Sequence, residues 1–190
     1  MILRFYPTKD STIYENAPER NTGLDSVLEI SKASATGSTG GATTSSFNSR
    51  ILMDFDYTAI SKSIVDLGYD PNLFDFGVKL YATEASEIPT NYSLEAFPIS
   101  QSWNMGIGRK GTTPATTEGC SWYYREGKQT PTTAWLTSSF AAVSTGSYSV
   151  NPGGGTWYTS SQASQSFSYT TTDVDMDITS IIRQVQSGSI

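Results

Sequence analysis

Short alternations of apolar and polar residues, broken by turn residues, run through most of the chain, and period two marks a half-buried strand. Residues 2–6 and 11–15 flank the turn-like tetrad Pro7-Thr8-Lys9-Asp10, which predicts either a hairpin or one kinked strand. Residues 26–31 set Val27, Glu29 and Ser31 against Leu28 and Ile30, and residues 49–55 set Arg50, Leu52 and Asp54 against Ile51, Met53 and Phe55. Between them, residues 33–48 are almost entirely Ser, Thr, Gly and Ala, with no apolar period, and predict a surface loop dispensable for folding.

Helical spacing occurs twice. Ile60, Ile64 and Leu67 share a face over residues 57–67, with Gly68 placed to cap the end. Residues 178–186 repeat the pattern, with Ile178, Ile181, Ile182 and Val185 directed inward. The remaining strands are predicted at 76–83, 92–99, 121–126, 156–160, 164–169 and 174–178. Residues 102–119 form a long Gly-, Thr- and Pro-rich connection, and loops of that length are commonly functional or interaction elements. Many short strands with turns between them predict an all-β fold: an antiparallel jelly-roll-like β-sandwich with one or two short helices, a single domain over residues 1–190.

Composition narrows the functions. The 190 residues carry a net charge of −6, and the 12 Lys and Arg are scattered. A nucleic acid partner needs clustered cations, so nucleic acid is excluded as a partner. No apolar run approaches the roughly 20 residues of a membrane span, so no membrane association is expected. Residues 1–7 lack a basic region followed by an apolar stretch, and predict synthesis in the cytoplasm without a signal peptide.

The chain has no histidine, which removes the commonest general base, the histidine relays and imidazole metal sites. Cys120 has no basic neighbour in sequence to lower its pKa and reads as a buried structural thiol. Asp173, Asp175 and Asp177 fall on one strand face, as do Asp54 and Asp56. Such a row suits a solvent-facing strand side, with Asp177 capping the last helix. A Ca²⁺ site at Asp173, Asp175 and Asp177 is the alternative, and an acid–base pair a further one. Trp103, Trp135, Trp157 and Tyr158 are the candidate binding rings, for a sugar or a protein partner, because flat rings stack on sugar faces. Core packing competes for the same rings: Trp122 and Tyr123 must face opposite ways on a strand, and Trp103 and Trp122 read as core anchors. No catalytic residue and no cofactor is expected, so the chain reads as a binding or building domain, not an enzyme.

Several segments in order carry a resemblance: Asn21-Thr22-Gly23-Leu24-Asp25-Ser26-Val27-Leu28-Glu29-Ile30, Ser49-Arg50-Ile51-Leu52-Met53-Asp54-Phe55-Asp56, Val78-Lys79-Leu80-Tyr81, Ser102-Trp103, Gly119-Cys120-Ser121-Trp122 and Val174-Asp175-Met176-Asp177-Ile178-Thr179. Their order resembles the DNRLRE-type sandwich domains, themselves similar to jelly-roll carbohydrate-binding modules. The stretch from Trp103 to Arg125 is similar to versions of this domain in structural proteins of tailed bacteriophages. The resemblance implies a capsid-decoration, neck or tail-associated virion module whose partners are other virion proteins or copies of itself. The alternative it leaves is a carbohydrate-binding domain that recognises a surface glycan. The family's last glycine-bearing turn and strand have no counterpart after Gln186. This predicts either a continuing chain, of which these residues are the N-terminal part, or an open sheet edge.

Overall fold

The computed structural model describes residues 1–36, 44–86, 91–127, 133–135, 153–168 and 172–190. The fold is β-rich, with small antiparallel sheets and two α-helices among the described residues. Two compact units form, neither contiguous in sequence: Met1–Ile60 with Gln101–Thr156, and Ser61–Ser100 with Trp157–Ile190.

The first unit contains β1 (Lys9–Tyr14), β2 (Lys32–Thr36) and β3 (Thr44–Asp54), in the order β1-β3-β2. At 11 residues, β3 is long enough to serve both partners: Ser49 to Asp54 pair with β1, and Thr44 to Asn48 with β2. Ser11, Thr12, Ile13 and Tyr14 are all buried, so β1 is covered on both faces. Its polar members are tolerated there because they are bonded: Thr12 Oγ1 accepts the Glu29 N–H at 3.0 Å, and its carbonyl accepts the Thr22 hydroxyl.

Three expectations are corrected in this unit, each by where the hydrogen bonds go. Residues 2–6 form no strand. The Thr8 N–H takes the Asp54 carbonyl at the end of β3, Pro7 has no N–H to continue the ladder, and Ile2 and Tyr6 are exposed. Residues 26–31 are irregular because hydroxyl groups replace a partner strand. Ser49 Oγ takes the Ser31 N–H at 2.7 Å and donates to the Glu29 carbonyl at 2.8 Å. Residues 33–48, expected to be a dispensable loop, contribute most of β2 and the first part of β3. A ladder is held by backbone groups, so strands of Ser and Thr can pair without an apolar stripe. Residues 37–43 of that segment lie outside the described residues.

The segments 121–126 and 156–160 are also not strands, and hold only the single bridges Tyr124↔Ala134 and Ile99↔Trp157. The helix α1 (Tyr57–Asp66) forms as the pattern predicts and buries Ile64, but Leu67 lies beyond its end and is exposed.

In the second unit, β4 (Gly77–Leu80) pairs with β7 (Val174–Asp177), and β5 (Asn91–Ala96) with β6 (Ala163–Ser168), both antiparallel. The core is Ala163, Phe167, Val174, Met176 and Ile181, with Leu80, Tyr92, Leu94, Ala96 and Ile178 packed against it. Tyr92 stacks on Phe167 at 5.0 Å between ring centroids. Burying each large apolar side chain contributes about 1.5–3 kcal/mol. The helix α2 (Thr179–Gln186) supplies Ile181 to this core, while Val185, expected inward, is exposed. Asp177, expected to cap α2, lies one position before its N-cap residue Ile178, and its Oδ1 accepts the Thr179 N–H at 2.8 Å. Arg183 anchors the other end of α2 by donating to the carbonyls of Pro71, Asn72 and Phe74.

Candidate functional site

Asn21 organises the loops of the first unit. The residue is fully buried, and its side-chain amide makes every bond it can. Nδ2 donates to the carbonyls of Met105 at 2.7 Å and Cys120 at 2.8 Å. Oδ1 accepts the N–H of Gly108 at 2.7 Å and of Gly23 at 3.3 Å. Its own N–H goes to the Thr116 carbonyl at 2.9 Å, so one residue ties the 102–119 connection to the segment after β1. The surrounding glycines are required by contact: a Cβ on Gly23 would overlap the Met105 carbonyl, and one on Gly108 the Asn21 carbonyl. The long connection is therefore clamped, and its length serves packing.

The tryptophans of this unit are walls of the same construction. Trp122 is 2% exposed, and the Arg50 guanidinium lies 4.8 Å from its ring while donating to the Gly154 carbonyl. Gly153 bears a φ of 119°, and a Cβ there would meet Trp122, so the turn passes over the indole only as glycine. Tyr123, next to it, is exposed, although the segment is not a strand. Trp103 is 7% exposed; the Lys9 ammonium sits 5.0 Å from its ring and pairs with Asp54 at 3.0 Å.

Of the four candidate binding rings, Trp103 and Trp135 belong to this first unit and are buried. Trp135 is 1% exposed and donates Nε1–H to the Ser121 carbonyl at 2.9 Å, so its faces are not offered to a ligand. Trp157 and Tyr158 belong to the second unit. Trp157 is half-buried beside Phe97 at 6.0 Å, and Tyr158 is exposed.

A groove of about 230 Å³ opens in the first unit, lined by Tyr14, Asn16, Ala17, Arg20 and Lys110. Two consecutive turns set its rim: the Ala17 N–H bonds to the Tyr14 carbonyl, and the Arg20 N–H to that of Ala17. The Arg20 guanidinium is fixed by the Lys110 carbonyl. The Lys110 ammonium lies 4.6 Å from the centre of the Tyr14 ring and 2.6 Å from Glu29 Oε2, which also accepts the Tyr14 hydroxyl at 3.2 Å. Burial raises the Glu29 carboxyl, but the bond and charge of Lys110, with the bonds to Tyr14 and Ser31, outweigh it and hold it below its ordinary pKa. Burial, and then the Glu29 charge, push the Tyr14 phenol well up. Sequence patterning missed this groove. Its residues come from two separated stretches, 14–20 and Lys110, and only the aromatic and the basic residue types could have hinted at it.

The aspartate row is solvent-facing, and each member has a protein partner. Asp173 Oδ1 accepts the Ala82 N–H at 2.9 Å, Asp175 pairs with Lys79 at 3.4 Å, and Asp177 accepts the Thr179 N–H at 2.8 Å. Among the described residues no three acidic or cysteine side chains gather as a metal site. Cys120 is buried, and burial pushes its thiol up to about 11, against the opposing bond from Ser11. Among the described residues, no helix is long and apolar enough to cross a membrane. No family model, curated protein or solved structure matches the chain significantly.

Proposed function

We propose that the chain is a non-catalytic structural and interaction module of a bacteriophage virion, a variation on the jelly-roll-type sandwich. The observation that carries this reading is the use made of polar groups in the first unit. Asn21, Arg50, Lys9 and Trp135 all hold backbone carbonyls or rings in place, and Cys120 is a buried, unactivated thiol. Such bracing gives a rigid scaffold built from loops, the property a particle component needs, and it leaves those groups unavailable as acids, bases or nucleophiles. The resemblance of the Trp103–Arg125 stretch to tailed-phage versions of DNRLRE-type domains supports the virion context. Antibodies raised against the chain, gold-labelled and applied to intact and disrupted phage particles, should decorate one fixed position. Absence of labelling in both preparations would refute the reading.

The groove favours a second reading, recognition of a surface glycan. The Arg20 guanidinium, Lys110 ammonium and Asn16 amide line a space of about 230 Å³, with room for a single sugar ring, and can donate to its oxygens. A glycan array would register binding that Arg20→Ala abolishes. A blank array, or one unchanged by that substitution, leaves only the structural role.

A further inference from the structure

The outer edge of β7 should be open. The ladder with β4 sets which backbone groups face it: the Ile178 N–H bonds to the Phe76 carbonyl, and Met176 and Val174 follow at the same parity opposite Val78 and Leu80. Antiparallel bonding uses alternate residues, so the N–H of Asp175 and the carbonyl of Asp173 point away from β4. No strand is bonded on that side among the described residues. Unpaired groups of this kind are a template for strand addition.

They are nevertheless bonded. The Asp175 N–H donates to Gln165 Oε1 at 2.7 Å, and Gln165 Nε2 donates to the Asp173 carbonyl at 3.3 Å. Gln165 stands on β6 at the same parity as buried Ala163 and Phe167, where an apolar residue would ordinarily complete the stripe. Its primary amide supplies one donor and one acceptor to two backbone groups, the pair that a further strand would take. The outer face of β7 carries Asp175, and Asp173 stands just before the strand, both exposed. Antiparallel pairing of two β7 edges about Asp175 would bring these carboxylates together across the new seam.

We propose that Gln165 is an edge guard: its side chain occupies the place of a neighbouring strand on β7 and keeps this unit from pairing with a second copy of the chain. A strand-sized partner needs both groups free at once, so losing the amide should matter more than losing one apolar contact. The guard acts with the aspartate charges, which oppose the same pairing, so the effect of its removal should grow when charge is screened.

The test is Gln165→Ala in the full chain, followed by sedimentation and by hydrogen exchange read at individual amides. The variant is expected to self-associate at least tenfold more tightly than the wild type, more so in high salt. The Asp175 amide should exchange at least tenfold faster in dilute samples and regain protection as concentration rises. The double variant Gln165→Ala, Asp175→Pro separates edge pairing from general loss of structure. Proline removes the outward N–H that Gln165 accepts while sparing the β4 ladder, and should restore wild-type behaviour. A single variant that associates no more than the wild type overturns the proposal, whatever its amide protection. So does a double variant that associates as strongly as the single one.

Discussion

Replacing Asn21 with alanine is the most direct probe of the clamp in the first unit. The substitution removes three bonds of 2.7–2.8 Å and a weaker one, and strands the Met105 and Cys120 carbonyls and the Gly108 N–H around a small void. A buried hydrogen bond is worth about 0.5–1.5 kcal/mol, and a group left unsatisfied costs about 1–3 kcal/mol. The losses share one site and do not add fully, so the expected cost is about 3–5 kcal/mol, near its lower end if a water enters. In a chain of this size that lowers Tm by about 6–20 °C. Urea unfolding followed by tryptophan fluorescence reads it, because Trp103 and Trp122 are buried in the same unit. Asn21→Asp sharpens the test. Its oxygen still accepts from Gly108, but the other oxygen meets two carbonyls, so the folded state favours the protonated acid and raises its pKa. The stability it retains is present below the ordinary aspartate range and is lost as pH rises through the raised value. An alanine variant within about 1 kcal/mol of wild type, or an aspartate variant indifferent to pH, would refute the clamp.

Three further outcomes follow from the same contacts. Cys120 should stay unreactive toward a thiol-disulfide reagent at pH 8 until urea unfolds the chain, since its thiol is buried and pushed up to about 11; rapid native labelling would contradict that. Trp122→Ala should cost about 3–5 kcal/mol in urea unfolding, as a buried aromatic truncation; unchanged stability would show that the ring is dispensable. The Glu29 carboxyl is held below its ordinary value, so the stability it contributes is present above the ordinary carboxylate range and is lost as pH falls through the lowered value. Lys110→Met should therefore flatten the acid side of the Tm–pH curve, and an unaltered acid limb would show that the pair is immaterial.

The sequence by itself determined the β-rich class, the two helices and the strands of the second unit, because there the period of apolar residues matches what is buried. Val174 and Met176 are in the core with Asp175 and Asp177 outside, and Ile181 is buried as its spacing required. In the first unit the pattern located β1 and the part of β3 from residue 49, and only the tertiary structure decided the rest. Its order comes from side chains bonding to distant backbone: Asn21 to Met105 and Cys120, Ser49 to residues 29 and 31, Arg50 to Gly154. Such bonds have no period, since each depends on two segments meeting in space. A strand prediction at 26–31 therefore failed where hydroxyls took the ladder's place, and β2 was hidden because backbone pairing needs no apolar stripe. Two of the four candidate binding rings, Trp103 and Trp135, proved buried, for a similar reason. Residue type marks Trp135 as useful to a ligand or a core alike, and only the Ser121 carbonyl and the enclosing walls assign it to the core.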